Sequence, residues 1–191
     1  QAGPGNWAGI EARQDSLISL DHVVIAYGGG TNRIEGTATG VNAVELIQSD
    51  ARVANSLFEF NDNGIGGQST LNRAGRGANS PGVIFVKGSQ PVIVGNTFIN
   101  NSGARNAPIS INVNSLTSET IVDLGRQRPL SRESINPING LTIDNDRVPD
   151  NWDNNGPLIK ANRLSNNSLN GMLVRGGTLL TQVVFDDTDI V

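Results

Sequence analysis

The chain has 191 residues, a formal net charge of -4, no cysteine and 4% aromatic residues. That allows one domain with a substantial core and excludes a disulfide framework or a thiolate-bound metal. The acidic balance opposes a polyanion, so nucleic acid is not an expected partner, and no run approaches the roughly 20 apolar residues of a membrane span, so no membrane insertion is expected.

Gly (23) and Asn (24) are abundant, as turns recurring every few residues require. In chain order, Gln1-Ala-Gly-Pro-Gly5 runs into the first apolar alternation by Trp7. Leu20 to Gly29 (LDHVVIAYGG) carries His22 at a position that three later stretches fill with asparagine. These are Arg52 to Asn61 (RVANSLFEFN) with Asn55, Val92 to Asn101 (VIVGNTFINN) with Asn96, and Leu158 to Asn167 (LIKANRLSNN) with Asn162. Thr181 to Asp187 (TQVVFDD) is a fifth copy, with Phe185 in that place. From Asn162 to Phe185 is 23 residues, the bare repeat; the other steps, 33, 41 and 66, carry insertions at Thr31 to Gly40, Gly66 to Pro81 and Asn114 to Gly156.

Within a copy the apolar residues alternate, as at Ile84, Val86, Val92, Val94 and Phe98. This is strand spacing, and no window holds a helical period over a useful length. Self-similarity of about 20 to 50 residues marks stacked supersecondary units. The expectation is an all-β solenoid with three short strands per rung, parallel from copy to copy. His22, Asn55, Asn96 and Asn162 would form a structural ladder at the bend between the second and third strands. Asparagine suits that bend because it tolerates the left-handed region and its amide can bond the rung above or below. Asp189-Ile190-Val191 reads as the start of another strand, and neither end shows a polar cap. Residues 1–191 are therefore expected to be a single domain within a longer coil, with 114–156 leaving as one long loop excursion.

The Asn55, Asn96, Asn162 set resembles, over most of the chain, the asparagine ladder of right-handed parallel β-helix proteins of the pectate-lyase-like superfamily. Gly5-Asn-Trp7-Ala-Gly9-Ile10 followed by His22-Val-Val-Ile-Ala-Tyr27-Gly28-Gly29 is similar to the opening rungs of β-helix modules in large bacterial secreted or surface proteins. The resemblance implies a right-handed parallel β-helix, an extracellular or cell-surface location in bacteria, flanking domains of a parent protein, and a binding groove along the first sheet. Such a fold hosts lyases, hydrolases, adhesins and stalks alike, so function has to come from the site.

Taking the strand ending at Val86 as the first of its rung, its counterparts end near Ala12, Ile47, Val113 and Val174, and all three insertions border that sheet. Its outward row is expected to be Glu11, Glu45 or Leu46, Phe85, Asn112 and Leu173. Glu11, Glu45, Phe85 and Asn112, with Trp152 from the long insertion, are the candidate ligand contacts, for a polysaccharide or another extracellular ligand. Glycoside hydrolysis needs two carboxylates about 5 to 9 Å apart. Adjacent rungs lie about 4.8 Å apart, so Glu11 and Glu45 meet the spacing only as neighbours on a solvated sheet. Asp186-Asp187 stands without the Asn-Thr-Asp, Gly-His-Gly and Arg-Ile-Lys companions of polygalacturonase-like hydrolases, and neighbours on a strand face opposite ways. His22, the one histidine, is absorbed by the turn, while Lys87 and Arg175 lack clustered acids beside them. No catalytic residue is assigned. The expected function is a non-catalytic extracellular module, scaffold or ligand-binding surface; the alternative is a fragment of a polysaccharide lyase or glycoside hydrolase.

No cofactor is required by these residues, but Asp144, Asp146, Asp150 and Asp153 gather four carboxylates in the long insertion, the oxygen supply that Ca2+ prefers. Val148 and Pro149 depart from the EF-hand pattern. If Ca2+ binds there it stabilises the folded state by mass action. Millimolar calcium then raises the melting temperature and Asp146→Ala reduces the rise; an unchanged melting temperature across chelator and calcium returns the four aspartates to the solvated turn.

Overall fold

The computed structural model describes residues 1–34, 37–65, 79–116 and 157–178. The short alternating runs become strands of three to five residues, three to a turn of the coil. The first rung is β1 (Ile10–Ala12), β2 (Leu17–Asp21) and β3 (Val24–Ala26). An antiparallel hairpin, β4 (Thr31–Ile34) and β5 (Thr37–Gly40), intervenes before the second. The second rung is β6 (Val44–Ile47), β7 (Asp50–Ala54) and β8 (Leu57–Glu59). The third is β9 (Ile84–Lys87), β10 (Val92–Val94) and β11 (Thr97–Ile99). In the fourth, β12 (Ile109–Asn112) ends in a 3-10 turn, Val113–Leu116, and β13 (Leu158–Lys160) and β14 (Arg163–Ser165) complete the rung; β15 (Met172–Arg175) opens a fifth.

Equivalent strands stack in parallel. Sheet 1 is β1-β6-β9-β12-β15, sheet 2 is β2-β7-β10-β13 and sheet 3 is β3-β8-β11-β14. The architecture is a right-handed parallel β-helix with an asparagine-ladder pattern.

All three corners use one two-residue device. A residue of positive φ turns the chain and, except in the first rung where Val23 follows His22 and Gly28 follows Tyr27, the next aims a polar side chain inward. After sheet 1 the turning residues are Asp15, Gln48 and Gly88, between sheets 2 and 3 they are His22, Asn55, Gly95 and Ala161, and after sheet 3 they are Tyr27, Phe60, Asn100 and Asn166. Their φ values lie in the left-handed well, where glycine and asparagine sit at least cost.

The inward residues at the third corner form a continuous relay. Asn61 Oδ1 accepts the Gly28 N–H at 2.8 Å, and Asn61 Nδ2 donates to Asn101 Oδ1 at 2.9 Å. Asn101 Nδ2 donates to Asn167 Oδ1 at 2.7 Å, and each amide also donates to a strand carbonyl, Ile25, Phe58 or Phe98. Asn170 ends the relay, its Oδ1 accepting both N–H and Nδ2 of Asn167. At the second corner Asn96 Nδ2 donates to Asn162 Oδ1 at 3.0 Å, and Asn96 Oδ1 accepts the Ser56 N–H. Serines serve at the first corner, where Ser89 Oγ accepts from Ser49 N and Ser115 Oγ from Ser89 N.

Asn96 and Asn162 thus occupy the ladder, while Asn55 and His22 sit one residue earlier, in the turning position. The in-register partner of Asn96 is Ser56, and that of His22 is Asn55. Both corner positions favour asparagine, one for its φ and one for its amide, so an alignment on asparagine alone slips by one residue. The ladder spacings at the third corner are 33, 40 and 66.

Between the ladders the coil is filled with aliphatic side chains. Leu46, Val86 and Ile111 come from sheet 1 and Val53, Ile93 and Ile159 from sheet 2, all fully buried. Phe58 and Phe98 stack from sheet 3 at 4.8 Å between ring centroids. Burying such side chains contributes about 1.5 to 3 kcal/mol each. Gly29 (φ +84) packs its backbone directly on the carbonyl of Asp62, where a Cβ has no room; this contact lets the chain pass from the first rung to the second.

Asn101→Ala removes a buried amide bonded to the buried Asn61 and Phe58 and the half-buried Asn167, and each buried group left unsatisfied costs about 1 to 3 kcal/mol. The urea midpoint of this variant drops accordingly, whereas Asn55→Gly, at a turning position where the third rung already has Gly95, stays within about 1 kcal/mol of the parent. Equal losses for the two would reject the register.

Candidate functional site

Sheet 1 is where the insertions leave. The hairpin and residues 66–78 precede its second and third strands, and residues 117–156 follow its fourth. The register gives one outward row of Glu11, Glu45, Phe85, Ser110 and Leu173, and a second that runs Ile47, Lys87, Asn112 and Arg175. Glu11, Glu45 and Phe85 therefore share a row as the alternation implies. Asn112 lies two residues further along, and Ser110 holds the place expected for it. The partner of Val86 is Ile111, not Val113, because β12 leaves the sheet early into the 3-10 turn.

The row is not an open groove over its middle. Glu45 and Ser110 are fully buried and Phe85 nearly so. Burying a carboxylate is costly unless hydrogen bonds surround it. Glu45 Oε1 accepts the Asn42 N–H at 2.9 Å and Asn79 Nδ2 at 3.1 Å. Asn79 Nδ2 also reaches the carbonyls of Gly40 and Gly64 and Asn42 Oδ1, while Asn42 Nδ2 reaches the carbonyls of Asn63, Ser80 and Gly82. Glu45 is thus the centre of a brace joining the segments on either side of the second insertion. Its in-register neighbour Glu11 is ion-paired with Arg13 at 2.5 Å and partly exposed.

Arg175 closes the upper half of the row. Its guanidinium lies over the Phe85 ring, 4.1 Å from the centroid, and donates to Ser110 Oγ at 2.9 Å and the Val86 carbonyl at 2.6 Å. Burial draws its pKa down to about 10, so it remains charged at neutral pH. The location has a reason. The β9–β12 ladder stops at Val86 and Ile111, and beyond it Asn112 Oδ1 accepts the Gly88 N–H and the Ser115 hydroxyl. Arg175 and Asn112 bond backbone groups just where the chain departs toward the long insertion.

His22 stands at the second corner with its side chain 70% exposed and Nδ1 2.8 Å from Asp21 Oδ1. Asp21 also accepts from Asn55 Nδ2 and from the buried Arg52, both at 3.0 Å. Burial pushes the Asp21 carboxyl up, but the hydrogen bonds of Asn55 and Arg52 and the charges of Arg52 and His22 outweigh it, leaving its pKa below the usual value. This cluster is on a different sheet boundary from the Glu11 and Glu45 row.

Trp152 and the candidate calcium ligands Asp144, Asp146, Asp150 and Asp153 lie outside the described residues, as do Asp186, Asp187 and the fifth copy. No group of three or more His, Cys, Asp or Glu residues able to hold a metal occurs among the described residues, and none of their helices is long and apolar enough to cross a membrane. Sequence reasoning missed Ser110, Asn79 and the third-corner ladder. The last was in view, since the three overlaid stretches all end in asparagine at Asn61, Asn101 and Asn167.

Arg175→Ala leaves Ser110 Oγ and the Val86 carbonyl without their donor and bares the Phe85 ring. The expected cost is about 1 to 3 kcal/mol, read from the denaturant midpoint. Arg175→Lys recovers only part of it, because an ammonium cannot span two acceptors and a ring face as the planar fork does. Full stability of Arg175→Ala would show that the clamp holds nothing.

Compared with family models, with curated proteins and with solved structures, the chain finds no match in any of the three.

Proposed function

We propose that this chain is a non-catalytic β-helix module of a larger bacterial secreted or cell-surface protein, related to the pectate-lyase-like superfamily and serving as a scaffold with a polysaccharide-binding outer surface. The observation that carries the reading is what Glu45 does. The carboxylate best placed to pair with Glu11 is fully buried and bound to Asn42 and Asn79. A general acid must reach a glycosidic oxygen and its partner must flank the same bond; Glu45 instead supports the protein's own loops. The ladders favour a scaffold as well, because each rung is fixed to the next by paired amides and binding segments mounted on it are held by rigid elements.

The ends of the sheet 1 row, the exposed Glu11 and the half-buried Leu173, and the insertions beside them are the surface on which the polysaccharide is proposed to bind. The chain 1–191 is proposed to act as one unit within its parent, the long insertion 114–156 belonging to the same surface.

On polygalacturonate, alginate and neutral glucans the protein is expected to release neither reducing ends nor unsaturated uronates, while retarding one or more of them in affinity electrophoresis. Product release abolished by Glu11→Gln or Glu45→Gln would establish the lyase or hydrolase alternative instead.

A further inference from the structure

The chain holds four Asn-Gly pairs: Asn63-Gly64, Asn139-Gly140, Asn155-Gly156 and Asn170-Gly171. The second and third lie outside the described residues, and the fold treats the other two in opposite ways. Asn63 is buried, its Nδ2 donates to the Ala104 carbonyl at 3.1 Å, its Oδ1 accepts the Ile65 N–H, and the Gly64 N–H is bonded to the Gly29 carbonyl. A Cβ at Gly64 would collide with the Asn42 backbone. Neither the amide nor the following nitrogen can move.

At Asn170 all of these restraints but the one on Oδ1 are absent. The side chain is exposed, and among the described residues its Nδ2 has no hydrogen-bond partner. The Gly171 N–H makes no hydrogen bond to any described residue, and the space about Gly171 holds only Leu169 Cδ2 at 4.0 Å. One atom is held: Asn170 Oδ1 accepts two donors, Asn167 N at 3.1 Å and Asn167 Nδ2 at 2.9 Å. Two N–H groups converging on a carbonyl oxygen withdraw electrons from its carbon and stabilise negative charge developing on that oxygen.

We propose that Asn170 is a site of spontaneous deamidation selected by the fold, the relay that ends on its Oδ1 serving as the donor pair for the reaction. The Gly171 nitrogen attacks Asn170 Cγ, forming a C–N bond while the C=O electron pair moves onto Oδ1. The oxyanion then collapses, the Cγ–Nδ2 bond breaks, and Nδ2 departs into solvent as ammonia carrying the proton lost by the Gly171 nitrogen. Water opens the resulting succinimide at either C–N bond, leaving aspartate or isoaspartate at position 170. Aspartate keeps both acceptor bonds and makes them charge-assisted. Isoaspartate adds a methylene to the backbone just before β15, displacing the strand that carries Arg175.

The test holds the native protein at pH 8 and follows both sites by peptide mapping and mass spectrometry, beside a synthetic peptide of residues 165–176 in the same buffer. In the native chain position 170 is expected to convert at least as fast as in the peptide, and position 63 about tenfold more slowly or less, each tenfold being about 1.36 kcal/mol of barrier. Asn167→Asp, which removes the Nδ2 donor, slows conversion at position 170. Slower reaction of Asn170 in the native chain than in the peptide, or Asn63 keeping pace with it, overturns the proposal, and both comparisons stand even if the variant fails to fold.

Discussion

A side-chain amide both donates and accepts, and the coil depends on that double capacity. A parallel rung leaves its corner N–H groups pointing at the next rung, where no strand is present to receive them, and a buried donor without an acceptor is expensive. Asn61, Asn101 and Asn167 solve this at each level in the same way: Oδ1 takes the N–H from the rung below and Nδ2 fills a carbonyl there. Only one residue type has this geometry at so short a reach. At the first corner serine serves instead, the buried Ser89 and Ser115 hydroxyls accepting the N–H groups of Ser49 and Ser89.

The rung repeat, three strands per turn and the places where insertions leave were legible in the sequence, since alternation and self-similarity record them directly. Register within the corner was not. Asn55 and Asn96 look equivalent by residue type, yet one is chosen for its φ and the other for its hydrogen bonds. Facing on sheet 1 was legible as well, but cover was not: period-two alternation says that Glu45 and Phe85 point outward, and nothing local says that Asn79 and Arg175 will then lie over them. Contacts made by residues tens of positions away leave no periodic trace.

The outward face of sheet 1 consequently has a character of its own. It is neither a second core nor a wetted surface, since it holds a carboxylate, a hydroxyl, an aromatic ring and a guanidinium, each matched to a partner. Sheet 2 shows the contrast, its outward Ala54, Val92 and Val94 forming a small apolar cluster with Leu158. Polar matching of this kind fixes geometry more tightly than apolar contact does, which suits a sheet that must hold its shape while chain segments enter and leave beside it.

The uneven spacing of the third-corner relay bears on how the coil assembles. Gly28 and Asn61 are 33 residues apart, Asn61 and Asn101 are 40 apart, and Asn101 and Asn167 are 66 apart. Joining distant parts of a chain costs entropy that grows by about 0.6 kcal/mol per doubling of the loop, and topologies rich in distant pairings fold slowly. The first two rungs therefore close most cheaply and offer a finished edge to the third. The fourth carries the largest closure cost, and until it closes the upper edges of β10 and β11 stay uncovered.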